Sequence, residues 1–190
     1  MVEKRIAVFA SGSGTNAENI FQYFSGNEKI IIDSLWANKS DAYALVRAKN
    51  NGVETFIFGR EQFYQTNDVV QTLRNRKVDL IVLAGFLWLI PENLVENFTI
   101  INIHPALLPR YGGKGMYGMN VHRAVVENKE AFSGITIHYV NQKYDEGKII
   151  FQAKCELTPE DTPEMVAQKV HELEYRHFPE VIEKVLTEKF

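Results

Sequence analysis

Residues 100–110 read Ile100-Ile101-Asn102-Ile103-His104-Pro105-Ala106-Leu107-Leu108-Pro109-Arg110. A β-branched apolar run that takes on two polar residues and then meets two prolines has the pattern of a buried strand stopped at its carboxyl end. Side chains alternate along a strand, so Asn102 and His104 share one face while Ile101 and Ile103 point into the other. An amide and an imidazole then stand together at a strand tip, where open parallel sheets hold their ligands.

The segments on either side supply the rest of such a sheet. Ile6 to Ala10 is a short apolar run, followed by the turn Ser11-Gly12-Ser13-Gly14-Thr15-Asn16 and then by Ala17, Ile20, Phe21 and Phe24 at helical spacing. Ile30 to Ala37, Val53 to Phe58 and Leu80 to Ala84 are further strands. A helix capped by Ser40 or Asp41 and closed at Asn51-Gly52, and another over Gln62 to Arg76, lie between them. After Arg110 comes Tyr111-Gly112-Gly113-Lys114-Gly115-Met116-Tyr117-Gly118, an irregular loop, and a helix over Met119 to Asn128. Phe132 to Val140, with His138 on the Thr136 face, and Ile149 to Glu156 pair as an antiparallel hairpin. A last helix begins near Pro163 and breaks or kinks near Phe178-Pro179. The expected fold is α/β: an open, mostly parallel twisted sheet with helices on both faces, Rossmann-like in its N-terminal half, with an antiparallel edge hairpin near the C-terminus.

Composition narrows the function. The 190 residues suit one domain, and 21 Lys and Arg against 24 Asp and Glu give no basic surface for nucleic acid or membrane. A single cysteine, Cys155, rules out an intrachain disulfide and a cysteine zinc site and fits a reducing, cytoplasmic setting. No apolar run approaches the ~20 residues of a membrane span, and Val2 to Ala10, with Glu3, Lys4 and Arg5, lacks the pattern of a secretory leader.

The glycine turn reads either as a capped tight turn or as a phosphate cradle, in which glycines admit the backbone and free N–H groups of the first helical turn face the anion. No lysine precedes Thr15, so a Walker loop is excluded. The second strand ends at Asn38 and its Asp33 lies mid-strand, so the ribose-binding acid of a dinucleotide fold is missing. A cradle for one phosphate monoester, at Ser13, Gly14, Thr15 and Asn16, remains. Gly85-Phe86-Leu87-Trp88-Leu89-Ile90-Pro91 either roofs the core or lines a slot for a flat ring. His171 and Glu174, three apart, share a helix face.

Asn102, His104 and Asp145 together suit attack of an amine on a carbonyl: amide and imidazole steady the oxyanion, and the carboxylate orients the imidazole. A two-histidine, one-carboxylate metal site from His104, His138 and Asp145 is the rival chemistry, although nothing in the spacing requires a metal.

Asn102-Ile103-His104-Pro105-Ala106-Leu107-Leu108-Pro109, the later Asp145 and the Ser-Gly-x-Gly-Thr-Asn turn closely resemble the phosphoribosylglycinamide formyltransferase family over nearly the whole chain. The Asn-x-His-Pro and Leu-Leu-Pro pattern is common to enzymes that handle 10-formyltetrahydrofolate, and the phosphate turn selects this branch. The resemblance implies formyl transfer from that co-substrate to the amine of glycinamide ribonucleotide, in purine biosynthesis, without a metal. It implies that Asn102, His104 and Asp145 are catalytic, and that Ser13, Gly14, Thr15, Asn16 and Glu174 hold the nucleotide. Phe86, Leu87, Leu89, Ile90, Val140 and Asp145 would line the folate slot. One formyltransferase domain over 1–190 is expected, with a nucleotide-phosphate half at about 1–100 and a folate and catalytic half at about 80–190. Partners would be these small molecules alone, with the chain a monomer or homodimer. Trp88 stands where the family often has a basic residue near the benzoyl-glutamate end, His171 where it often has Gln, and the loop Gly112 to Gly118 is longer than usual; Arg60, Arg110 and Lys114 receive no role. A formyltetrahydrofolate deformylase, and a non-catalytic nucleotide-binding module, are the alternatives.

Overall fold

In the computed structural model, which describes residues 3–187, seven strands form one sheet. They are β1 (Lys4–Ala10), β2 (Ile30–Ala37), β3 (Glu54–Ile57), β4 (Leu80–Leu83), β5 (Thr99–His104), β6 (Phe132–Tyr139) and β7 (Ile149–Glu156), in the order β3-β2-β1-β4-β5-β6-β7. The pairs from β3 through to β5 are parallel. Both β5–β6 and β6–β7 are antiparallel, so the antiparallel edge is one pair deeper than the hairpin expected. That extra pair sets Asn102 directly opposite His138 and His104 opposite Thr136. Directly opposed residues share a face, and four polar side chains therefore gather on one side of the strand tips.

Helices cover both faces. Against one core, built on Ile101, Ile103, Ile135 and Ile137, pack α1 (Thr15–Tyr23), α2 (Tyr43–Asn50), α6 (Met119–Glu127) and α7 (Pro163–Thr187). Against the other, built on Ala7, Phe9, Ile81 and Ile100, pack α3 (Arg60–Tyr64), α4 (Asp68–Asn75) and α5 (Glu92–Asn97). Among the described residues no helix is long and apolar enough to cross a membrane; the leader reading begins at Val2, which lies outside them.

Three expectations are corrected. The helix over Gln62 to Arg76 is two helices, because Thr66 Oγ accepts the Asp68 N–H and Asn93 donates to Thr66 O and Asn67 Oδ1, giving the chain partners other than its own ladder. Neither Ser40 nor Asp41 caps α2; Ala42 precedes it, and the Ala44 N–H is taken by Gly12 O at 3.0 Å, so the first loop does the capping. The last helix continues through Pro179 without the break that was one of the two expectations there. A proline inside a helix costs about 3 kcal/mol, and burial of Phe178, Val181 and Ile182 in the core, at roughly 1.5–3 kcal/mol for each side chain, outweighs it. Asp33 is indeed held mid-strand, between Arg5 at 3.0 Å and Arg76 at 2.7 Å.

Candidate active site

One cavity of about 710 Å³ opens over the carboxyl ends of β1, β4 and β5, and it is lined by the glycine turn, the Gly85 to Ile90 stretch, Asn102, His104, His138, Asp145 and Glu174. Every expected site residue therefore reaches one space.

His104 is 4% exposed, and its Nε2 lies 2.7 Å from the Tyr111 carbonyl. A carbonyl only accepts, so Nε2 carries the proton and Nδ1 faces Asp145 Oδ2 at 3.5 Å. His138 repeats the arrangement: Nδ1 donates to the Tyr139 carbonyl at 2.8 Å, and Nε2 faces Asp145 Oδ1 at 3.6 Å. In the neutral ring Nε2 is then an acceptor, and Asn102 Nδ2 donates to it at 3.2 Å, which turns the amide oxygen away. Asp145 thus stands between two imidazoles, and a proton arriving on either one lands beside its carboxylate. Burial opposes ionisation of Asp145, but His138, His104 and the Gly113 N–H outweigh it and hold the carboxyl below its usual range. Burial pushes His104 down, against the pull of Asp145 and of the Tyr111 carbonyl. Asp145 itself takes a positive φ of 56°, a conformation that Asp tolerates better than most residues.

His104, His138 and Asp145 do converge, as the metal alternative required. Among the described residues, however, no cluster of three or more His, Cys, Asp or Glu side chains has metal-holding geometry.

At the other end of the cavity the backbone turns at Gly14, with φ 74°, into α1, whose N-terminus no side chain of the described residues caps. The first helical bond runs from the Glu18 N–H to Gly14 O at 2.9 Å, so the N–H groups of Thr15, Asn16 and Ala17 precede the ladder. A Cβ on Gly14 would lie 2.5 Å from the Cα and Cβ of Ala44, so this position needs glycine for space as well as for conformation. Glu174 is 4% exposed, not on a solvated face; its Oε2 accepts from Asn16 Nδ2 at 2.9 Å and from His171 Nδ1 at 2.8 Å. The Asn16 amide is thus directed at Glu174.

The apolar wall is both core and lining. Phe86 and Ile90 are buried members of the second core, whereas Leu87 is 38% exposed. The wall is pinned by the Leu87 N–H on Ser11 Oγ at 3.0 Å and by the Tyr64 hydroxyl on Leu89 O at 2.9 Å. The Val140 N–H donates to Ile100 O at 2.9 Å on the facing side. Arg60 lies over the Trp88 ring at 4.8 Å, so a cation stands beside that position although its own side chain is aromatic.

Comparison with known proteins fixes the relationship. The family profile described as formyl transferase matches residues 4–182. The chloroplastic phosphoribosylglycinamide formyltransferase of Arabidopsis thaliana is 39% identical over 98% of this chain, which spans just under two thirds, 66%, of the plant protein's length. The phosphoribosylglycinamide formyltransferase of Haemophilus influenzae is 38% identical over 94% of this chain and 85% of its own length. The chain belongs to the phosphoribosylglycinamide formyltransferase family. A solved phosphoribosylglycinamide formyltransferase, from Anaplasma phagocytophilum, superposes with a TM-score of 0.87 at 32% identity, covering 98% of this chain and 88% of that one.

Two histidines of this formyltransferase-family cavity were not singled out as site residues from sequence. His138 was weighed only as a metal ligand; the β5–β6 pairing that delivers it to Asn102 has no local signature. His122, on α6, is 2% exposed and lines the cavity. Burial, then the nearby His171, lowers its pKa to about 4. In the unfolded chain it titrates near 6.5, so below that pH the unfolded state binds a proton that the folded state refuses. The contribution to stability is complete above 6.5 and is lost as pH falls through 4, a difference of about 3 kcal/mol. Denaturant melts from pH 7 to pH 4 are expected to show a shallower acid decline for His122→Asn than for the parent. Parallel declines would mean that His122 titrates normally in the fold.

Proposed function

We propose that this chain transfers the formyl group of 10-formyltetrahydrofolate to the amine of glycinamide ribonucleotide. The observation that carries the reading is the meeting, in one cavity, of an uncapped helix N-terminus, the Asn102–His104–Asp145 group and an apolar slot. Phosphate rests on the N–H groups at Gly14, Thr15 and Asn16, with Ser13 beside them, and Glu174 adds a contact from α7 to the nucleotide end. The pterin enters the slot of Phe86, Leu87, Leu89, Ile90 and Val140. In this assignment the region of about 1–100 supplies the phosphate end and about 80–190 the folate and catalytic groups.

The amine attacks the formyl carbon and the carbonyl becomes an oxyanion. Asn102 retains one N–H beyond the bond to His138, and this steadies the negative charge. His104 receives positive charge beside Asp145, which stabilises the imidazolium and helps move the amine proton to the departing folate nitrogen. Members of the family are named for this transfer rather than for hydrolysis.

A coupled assay with both substrates is expected to yield formylated nucleotide in step with folate release. Free formate without formylated nucleotide would establish a deformylase instead, and tight NAD binding without transfer a non-catalytic module. Asp145→Asn keeps the side chain's shape and its tolerance of positive φ but loses the charge. Its turnover is expected to fall by about two orders of magnitude, with folate binding retained; loss of folate binding would make Asp145 a structural residue.

A further inference from the structure

We infer that His122 is a substrate-contacting residue that takes a ribose hydroxyl of the nucleotide, in a wall it shares with Asn16 and Glu174. The inference rests on the nucleotide substrate proposed above.

Among the described residues two buried polar atoms of the cavity find no hydrogen-bond partner: His122 Nδ1 and Asn16 Oδ1. Both flank Glu174. Asn16 donates to its Oε2, while His122 lies beside His171, its ring centroid 6.4 Å away, and His171 holds the same Oε2 from the other side. Buried polar groups are almost always paired in folded proteins, so two open ones in a single wall mark a surface completed by a ligand. Asn16 Oδ1 and a carboxylate only accept. A neutral imidazole offers one donor and one acceptor, and a hydroxyl can answer either nitrogen. Neighbouring hydroxyls fit this set, whereas a phosphate, which brings acceptors, does not.

Place along the cavity selects the ribose. His122 stands beside His171, which shares Glu174 Oε2 with Asn16 of the phosphate turn, and it lines the same cavity as the Asn102–His104 pair. In the nucleotide the sugar separates phosphate from glycinamide. The reacting amine has to reach Asn102 and His104, so it is not the group that meets His122. Burial and the adjacent His171, whose own proton is held by Glu174, keep the His122 ring neutral at pH 7.

The test uses the purified full chain, with steady-state kinetics and calorimetric binding of glycinamide ribonucleotide and of its 2′-deoxy and 3′-deoxy analogues. His122→Phe keeps a flat ring of similar volume and removes both nitrogens; His122→Asn restores a donor and an acceptor. The expected result is a rise of about tenfold or more in KM and Kd for the nucleotide in His122→Phe, the size of one lost hydrogen bond with its partner left unpaired. KM for 10-formyltetrahydrofolate and kcat should stay near the parent values, and His122→Asn should recover most of the loss. With the analogue lacking the hydroxyl that His122 holds, parent and His122→Phe should bind alike. An unchanged nucleotide Kd in His122→Phe would overturn the inference, as would an equal penalty with both deoxy analogues. If His122→Phe does not fold, an unchanged nucleotide Kd for both deoxy analogues in the parent would overturn it. A parent chain that binds no glycinamide ribonucleotide would remove the proposed function first, and this inference with it; one that binds but does not transfer would remove only the former.

Discussion

Replacing Asn102 with alanine is expected to lower turnover by about two to three orders of magnitude, the effect of removing one donor that faces a developing oxyanion, and His104→Ala, which removes the imidazole that takes positive charge beside Asp145, should cost a similar amount. Both residues sit at the tip of β5, their backbones fixed by pairing with β6. Truncation therefore removes chemistry and leaves the strand in place. His104→Ala also leaves Asp145 with only His138 among its two imidazole neighbours, and Asn102→Ala takes the donor away from His138 Nε2. The two side chains act on one transition state, so the double variant should lose much less than the product of the single losses. Turnover at saturating concentrations of both substrates, with thermal melts as a check on folding, decides the matter. Parent-like turnover in both folded variants would remove these residues from the mechanism.

Gly147→Ala is expected to damage stability and catalysis together. A Cβ there would lie 1.6 Å from the Tyr139 carbonyl oxygen and 2.7 Å from its carbon, backbone atoms that no rotamer change can move aside. The same carbonyl accepts the His138 Nδ1 proton at 2.8 Å, and Gly147 follows Asp145 by two residues in the turn that leads to β7. Displacing the turn frees the His138 ring and shifts the Asp145 carboxylate. Overpacking of this kind costs about 1–3 kcal/mol, and a misplacement of about 1 Å at a reacting group lowers rate by roughly a hundredfold. Gly59→Ala, at a position with no heavy atom within 4 Å of the added methyl, is the control and should be near neutral. A Gly147→Ala protein with parental melting temperature and kcat/KM would show that the turn relaxes without consequence.

Much of this arrangement is legible in the sequence. The parallel strands announce themselves as apolar runs because a sheet covered on both faces leaves no polar alternation, and the glycine turn follows from the conformation and space that Gly14 requires. Asn102 and His104 were placed on one face by strand periodicity alone. The partners of these groups were not readable. His138 reaches Asn102 only through a pairing between strands separated by a loop and a helix, and Glu174 meets Asn16 across 158 residues of chain. Periodicity reports which face a residue shares, not what lies opposite. For the same reason the apolar stretch at Gly85 to Ile90 could be read as core or as slot, when its residues serve as both. The break between α3 and α4 has no local signature: the helical pattern carries across it, while the competing partner is Asn93, 26 residues away from Asn67.

The bond from His104 Nε2 to the Tyr111 carbonyl bears on how the tip of β5 divides its work. With that proton given to the root of the glycine-rich loop and Nδ1 turned to Asp145, the imidazole has no N–H free for an oxyanion. On the proposed reaction the Asn102 amide then meets the negative charge, and the imidazole is the seat of the positive charge beside Asp145. Two neighbouring residues of one strand face thus take opposite halves of the charge separation that the reaction creates.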